Sequence, residues 1–262
     1  MVVAIPHRRP FPGKFRTSVL KRRVRLIRWL ARMRGGGEAP IACRYFGADF
    51  VVTPGELIAD EIAINRIEWR ELTMMLTACR EYRPSLFIDV GANVGLYACI
   101  LGRARAVPNI VAFEPDRQNF AGLVENIARN DLGGVIDARP VAIGAGASTA
   151  LLVPGTAENS GLSKLGDADP RAYSVPVAAL DDEIELRGGM ICVKIDVEDY
   201  ELEALAGAAD LFRRNGGYVQ IEGHGDARAA EITAIMRGHG WRFIDRYGLN
   251  MRFERAGPDA PA

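Results

Sequence analysis

The sequence predicts an α/β protein: a three-layer, doubly wound, mostly parallel sheet closed by an antiparallel C-terminal hairpin. Three observations carry that prediction. From residue 86 onward, short apolar runs alternate with segments of helical periodicity, the pattern of a parallel sheet covered on both faces. The run Leu86-Phe87-Ile88 leads through Asp89 into a turn bearing Gly91 and Gly95, and then into helix-forming residues. Such a strand–turn–helix unit is where these sheets hold nucleotide-like ligands. Finally, two alternating segments, 241–246 and 249–254, flank Tyr247-Gly248 and read as a hairpin.

Taken in order, residues 1–37 form a basic arm. Leu20, Val24, Ile27 and Leu30 recur at helical spacing among arginines, and Gly35-Gly36-Gly37 ends the helix as a hinge. Residues 38–85 supply a β-hairpin, Ile41–Phe46 and Asp49–Thr53 around a Gly47-Ala48 turn, and a helix over 69–82 that stops before Pro84. The main domain spans 86–256. Strands are expected at 86–90, 110–114, 135–139, 190–196 and 217–222, with helices near 95–106, 117–130, 199–214 and 226–239. The polar stretch 145–176 is expected to be an irregular flap over the ligand cleft. Residues 257–262, rich in Pro and Ala, are expected to fray.

Composition limits the function classes. The 262 residues, 48% hydrophobic, suffice for one sizeable core plus an extension. Net charge is zero but lopsided: residues 1–34 hold eleven Arg/Lys and no acid, which leaves 22 basic against 33 acidic groups, −11, in the remainder. Cys43, Cys79, Cys99 and Cys192 form no C-x-x-C pair, which suits reduced thiols in a cytoplasmic protein. No run approaches the roughly 20 apolar residues of a membrane span.

Ligands on such sheets bind at the carboxyl ends of the strands, so the residues delivered there decide the chemistry. A dinucleotide turn needs a second glycine where this chain has Asn93, and the third glycine's place is Leu96. No P-loop lysine follows. A turn opened by the carboxylate of Asp89 suits a ligand without phosphate and with positive charge, which describes S-adenosylmethionine. Glu114, 25 residues after Asp89 and followed by Pro115, is placed to accept hydrogen bonds from ribose hydroxyls. Ala142, between Val141 and Ile143, is small enough to lie against an adenine. The fourth strand delivers Lys194, Asp196 and Glu198, and the fifth Glu222 and His224. Each has a structural alternative, such as an ion pair or a helix-terminal charge. Together they place charge at one edge of a buried sheet, where it is costly unless paired or used.

These segments resemble the FkbM-type family of S-adenosylmethionine-dependent methyltransferases. The matching strings are IDVGANVGLYA (88–98), AFEPDRQNFAGLVENIARN (112–130), PVAIG (140–144), VPVAALDD (175–182), VKIDVEDYELEALAGA (193–208) and VQIEGH (219–224). One position departs: the family usually has glycine after the K-I-D-V-E glutamate, and here it is Asp199. The resemblance implies a Rossmann-like, class I methyltransferase sheet of seven strands with the last antiparallel. It also implies O-methylation of a hydroxyl on a sugar, polyketide or other small metabolite.

Methyl transfer to an alcohol is an in-line displacement in which positioning supplies much of the rate and a base removes the hydroxyl proton. Asp196 is the first candidate base and His224 the second. Lys194 either holds Asp196 or lowers the alcohol's proton affinity. Glu198 and Glu222 are candidates for binding substrate hydroxyls or the donor's amino group. The cofactor is expected to be bound by Asp89, Gly91, Asn93, Gly95, Glu114, Pro115 and Ala142. A divalent metal on Asp196, Glu198, Glu222 and His224 is the less favoured alternative. Other readings of the fold are an NAD-dependent oxidoreductase, disfavoured by Asn93 and Leu96, and a non-catalytic binding module or scaffold. The 1–34 arm is expected to contact a membrane surface or a partner subunit, with nucleic acid disfavoured because it offers one aromatic and no base readout. Its Arg-rich, acid-free start also resembles a transit peptide, though it is poor in serine.

Overall fold

A computed structural model describes residues 41–52, 62, 67–155, 163–166 and 169–257. The basic arm with its hinge and the tail 258–262 lie outside the described residues, and with them the membrane, partner and transit readings of the arm. Among the described residues, no helix is long and apolar enough to cross a membrane.

The chain opens with β1 (Ile41–Tyr45) and β2 (Ala48–Val52), an antiparallel pair. The turn between them is Phe46-Gly47, one residue earlier than expected. Both take positive φ, 46° and 86°, as a two-residue hairpin turn requires, and Phe46 packs edge-on against Tyr45. Helix α1 (Trp69–Tyr82) follows. The core domain then alternates β3 (Leu86–Val90), α2 (Leu96–Arg103), β4 (Ile110–Phe113), α3 (Arg117–Arg129) and β5 (Ile136–Arg139). After a subsidiary unit come β10 (Met190–Ile195), α5 (Glu201–Ala206), α6 (Ala209–Arg214), β11 (Gly216–Glu222), α7 (Asp226–Gly238), β12 (Arg242–Tyr247) and β13 (Asn250–Arg255). That unit is β6 (Ala142–Ile143), β7 (Ser148–Val153), β8 (Lys164–Leu165), β9 (Tyr173–Ala178) and the short helix α4 (Leu180–Glu183).

Seven strands form one sheet in the order β12-β13-β11-β10-β3-β4-β5, parallel except for the terminal hairpin, whose β13 inserts antiparallel beside β11. The order reverses between β3 and β10, and a crevice opens at such a reversal. One face of the sheet is apolar: Ile88, Val90, Val193, Ile195, Val219 and Ile221 are buried in a core shared with Leu205, Phe212 and Trp241. The opposite face carries a polar row fixed by register, because side chains alternate along a strand. Asp89 lies opposite Lys194, and Lys194 opposite Gln220.

Two elements depart from expectation. The 145–176 stretch is no irregular flap: β6, β9, β7 and β8 form a four-stranded sheet around Ala142, Leu152, Val175 and Val177. Its residues 156–162, 167 and 168 lie outside the described set. The period-two burial of Val175 and Val177 between exposed Ser174 and Pro176 explains the strand, and the polar residues simply occupy its outer face. The 199–214 helix is two helices. Gly207 interrupts it because its backbone abuts the Gly144 carbonyl; a Cβ there would sit 1.9 Å from that oxygen. The Asp181 carboxylate then accepts from the Asp210 and Leu211 amides (2.9 and 2.7 Å) and starts the second helix.

The hairpin is docked by asparagines. Asn130 exchanges two hydrogen bonds with the Asp49 backbone (2.8 and 2.7 Å), and Asn126 accepts from Val51 N–H (2.9 Å) while donating to the Val94 carbonyl (2.9 Å). The edge of β2 is thus satisfied by side chains, and the lead-in segment is tied to the glycine turn. All four cysteines are buried and free.

Candidate active site

The turn after β3 is shaped by close approach. Gly91 has φ 80°, and a Cβ on it would lie 1.8 Å from the Asp196 carbonyl oxygen. Asp196 N–H in turn donates to the Val90 carbonyl (3.0 Å). The ends of β3 and β10 are therefore pressed together, which puts the Asp196 side chain beside the turn. Gly95, with φ 85°, begins α2 against Leu123, where a side chain would collide at 2.6 Å. Asn93 sits in the left-handed region at φ 50°, where asparagine is tolerated, and its N–H donates to Glu114 Oε2 (2.8 Å).

Glu114 is 5% exposed, and its other oxygen accepts from Asp116 N–H (2.8 Å). Burial lifts its pKa to about 7, opposed by those two backbone donors. Asn119 adds a side-chain hydrogen bond to the same carboxylate. Pro115, Asn119, Val141, Ala142 and Ile143 line the same end of the cleft, with Leu152, Ser163, Lys164 and Leu165 contributed by the small sheet.

At the other end, Lys194 Nζ donates to Asp196 Oδ2 at 2.9 Å. The lysine is 4% exposed and stands 4.8 Å from the centre of the Tyr97 ring. Burial opposes its charge, but Asp196, Glu68 and Asp89 more than offset this and hold it protonated far above neutrality. Glu222 is raised to about 8 by burial and by Asp196, and Glu198 to about 7 by the same two causes. Near neutral pH both carry a proton part of the time, and so can donate as well as accept. Asp89 is 1% exposed and is not among the cleft-lining residues. It accepts from Ala98 N–H (3.2 Å), and burial, opposed by Lys194, raises it to about 6. His224 is half-exposed, 3.6 Å from Asp199 and 3.8 Å from Glu222, also outside the lining. Among the described residues, no group of three or more His, Cys, Asp or Glu side chains is arranged to hold a metal ion.

Glu68 and Tyr97 are cleft residues that the sequence does not single out. Glu68 precedes a helix outside the sheet, so strand-end bookkeeping passed over it; its only signal is an acid directly before Trp69. Tyr97 reads as a helix former, yet it reaches Lys194, Glu68 and Gln220.

Residues 198–199 carry backbone strain. Glu198 and Asp199 both have positive φ, 47° and 75°. A left-handed non-glycine residue costs about 1–2 kcal/mol, less for aspartate, and glycine gives back part of that through unfolded-state entropy. Asp199→Gly is therefore expected to stabilise the protein by about 0.5–1 kcal/mol, a rise of roughly 1–4 °C in Tm. A fall in Tm on thermal melting would show the aspartate to be needed there.

A doubly wound sheet with its cleft at the strand reversal, a glycine turn and an acid after the second strand define a Rossmann-like ligand-binding fold. Residues 89–243 match the methyltransferase FkbM domain. Among characterised relatives, the chain is 26% identical over 225 residues to the hexuronic acid methyltransferase AglP of Haloferax volcanii, covering 84% of this chain and 89% of that one. It is 30% identical over 196 residues to the 31-O-demethyl-FK506 methyltransferase FkbM of Streptomyces tacrolimicus, covering 63% and 75%. A solved FkbM methyltransferase from Methylobacillus flagellatus superimposes with TM-score 0.49 at 20% identity; the match covers 65% of this chain but only 43% of that one. The chain belongs to the FkbM methyltransferase family, whose methyl donor is S-adenosylmethionine. The site fits such a donor on its own evidence: Glu68 lines the cleft with a buried carboxylate oxygen that has no hydrogen-bond partner.

Proposed function

We propose that this protein methylates a hydroxyl of a small polyhydroxylated molecule such as a sugar or polyketide, with Asp196 as general base. The observation that carries the reading is the Lys194–Asp196 pair at the end of β10. Asp196 is held at 2.9 Å by a buried cation, its side chain is 21% exposed towards the cleft, and its backbone abuts the glycine turn. The donor supplies an electrophilic methyl on a sulfonium. Asp196 takes the hydroxyl proton of the acceptor, and Lys194 keeps that carboxylate oriented and stabilises its charge beforehand. Glu198 and Glu222 flank it, and with partial protonation each is suited to both the oxygen and the hydrogen of neighbouring hydroxyls. Glu114, Asn93 and the Ala142 segment hold the nucleoside end. Two relatives, named for a hexuronic acid and for 31-O-demethyl-FK506, lend support to a hydroxylated acceptor.

The test is transfer of a labelled methyl group to a panel of sugars, uronic acids, polyols, polyketides and matched amines. Label recovered as an alkali-stable methyl ether supports the reading. Label found only on nitrogen or sulfur sinks it.

A further inference from the structure

Glu68 stands apart from the acids at the strand ends. It precedes α1 with a left-handed backbone, φ 42°, and its side chain does not cap that helix. It lines the cleft, faces the Tyr97 hydroxyl and lies in the fields of Lys194 and Asp196. Its Oε2 is buried and has no hydrogen-bond partner. A buried acceptor left without a donor is costly, so a position that keeps one is suited to a ligand that brings a donor.

The donor's sulfonium has three arms, and the cleft has three polar stations for them. Glu114 and Asn93 would hold the nucleoside arm, and Asp196, Glu198 and Glu222 would face the acceptor. The amino-acid arm is left with Glu68 and Tyr97. An ammonium group carries three N–H donors and positive charge, which is what an orphaned, buried carboxylate oxygen lacks. Glu198 and Glu222, the candidates from sequence for the donor's amino group, stand with Asp196 on the acceptor side; Asp89, which opens the turn and also keeps one buried oxygen without a partner, is not among the residues that line the cleft.

We propose that Glu68, and not Asp89, binds the ammonium group of the donor's amino-acid end. This rests on the S-adenosylmethionine reading of the site. Binding of two donor relatives tests it without turnover: S-adenosylhomocysteine has the amino-acid arm, and 5′-methylthioadenosine lacks it. By calorimetry, Glu68→Gln should weaken S-adenosylhomocysteine about tenfold or more while leaving 5′-methylthioadenosine within about twofold, the size of one charge-assisted hydrogen bond. Glu68→Asp, which keeps the charge but shortens the reach, should lower the preference less. Asp89→Asn should keep the wild-type preference. Equal weakening of both ligands, an unchanged preference in both Glu68 variants, or loss of preference in Asp89→Asn instead would each overturn the assignment. A wild-type protein that binds neither ligand would overturn the donor reading itself, and the assignment with it.

Discussion

Asp196→Asn is expected to lower kcat about 10²- to 10⁴-fold, the range typical for removing a general base. Binding of S-adenosylhomocysteine should survive. The contact between this residue and the glycine turn is made by its backbone carbonyl against Gly91, and the substitution leaves that carbonyl in place. The amide also keeps the shape of the side chain, so the acceptor's seat changes little. What is lost is an acceptor for the proton and the partner of Lys194. Burying a charge after deleting its partner usually costs about 3–5 kcal/mol. Here Glu68 and Asp89 still surround the lysine, so the loss should fall at or below the low end of that range. Steady-state kinetics beside calorimetry on one preparation separates the two effects. A kcat within about threefold of wild type, far short of a general base's contribution, would remove Asp196 from the chemistry. Parallel loss of donor affinity would make it a structural residue.

The parts legible in the sequence were those set by local periodicity. Strands 86–90 and 190–195 announce themselves as apolar runs each broken by a single charge, Asp89 and Lys194, and the glycine turn follows from the chain direction. Once the strands were placed, their carboxyl ends brought Glu114, Lys194, Asp196 and Glu222 to one cleft. What stayed hidden depends on contacts distant in sequence. The break at Gly207 is imposed by the Gly144 carbonyl, 63 residues away. The small sheet needs β9 to pair with both β6 and β7, which no local pattern in 145–172 reveals. Glu68 becomes a cleft residue only because α1 packs over β10 and β11. Burial of Asp89 behind the lining is likewise invisible to a motif, which reports that a carboxylate opens the turn but not which way it faces.

Lys194→Met should be the most destabilising of these substitutions, and its cost should depend on pH. The lysine is the buried cation among Asp89, Asp196, Glu68 and Glu222, and methionine fills its volume without its charge. Leaving such a cluster uncompensated costs about 3–5 kcal/mol, roughly 6–20 °C in Tm for a domain of this size. The sign of the pH effect follows from the direction of the carboxylate shifts. Asp89 and Glu222 already hold protons up to about 6 and about 8, above their unfolded values, while Lys194 pulls both down. Groups raised in this way bind protons more tightly in the native state, so their contribution favours folding at acid pH and is lost as pH rises through the folded values. Without the lysine those values climb further, and the loss on going to alkaline pH becomes steeper. Thermal melts of wild type and Lys194→Met at pH 5.5 and pH 8.5 should therefore show a small difference at the lower pH and a large one at the higher. Equal differences at both would mean that the lysine contributes packing alone, and that the acids around it are neutralised by something other than its charge.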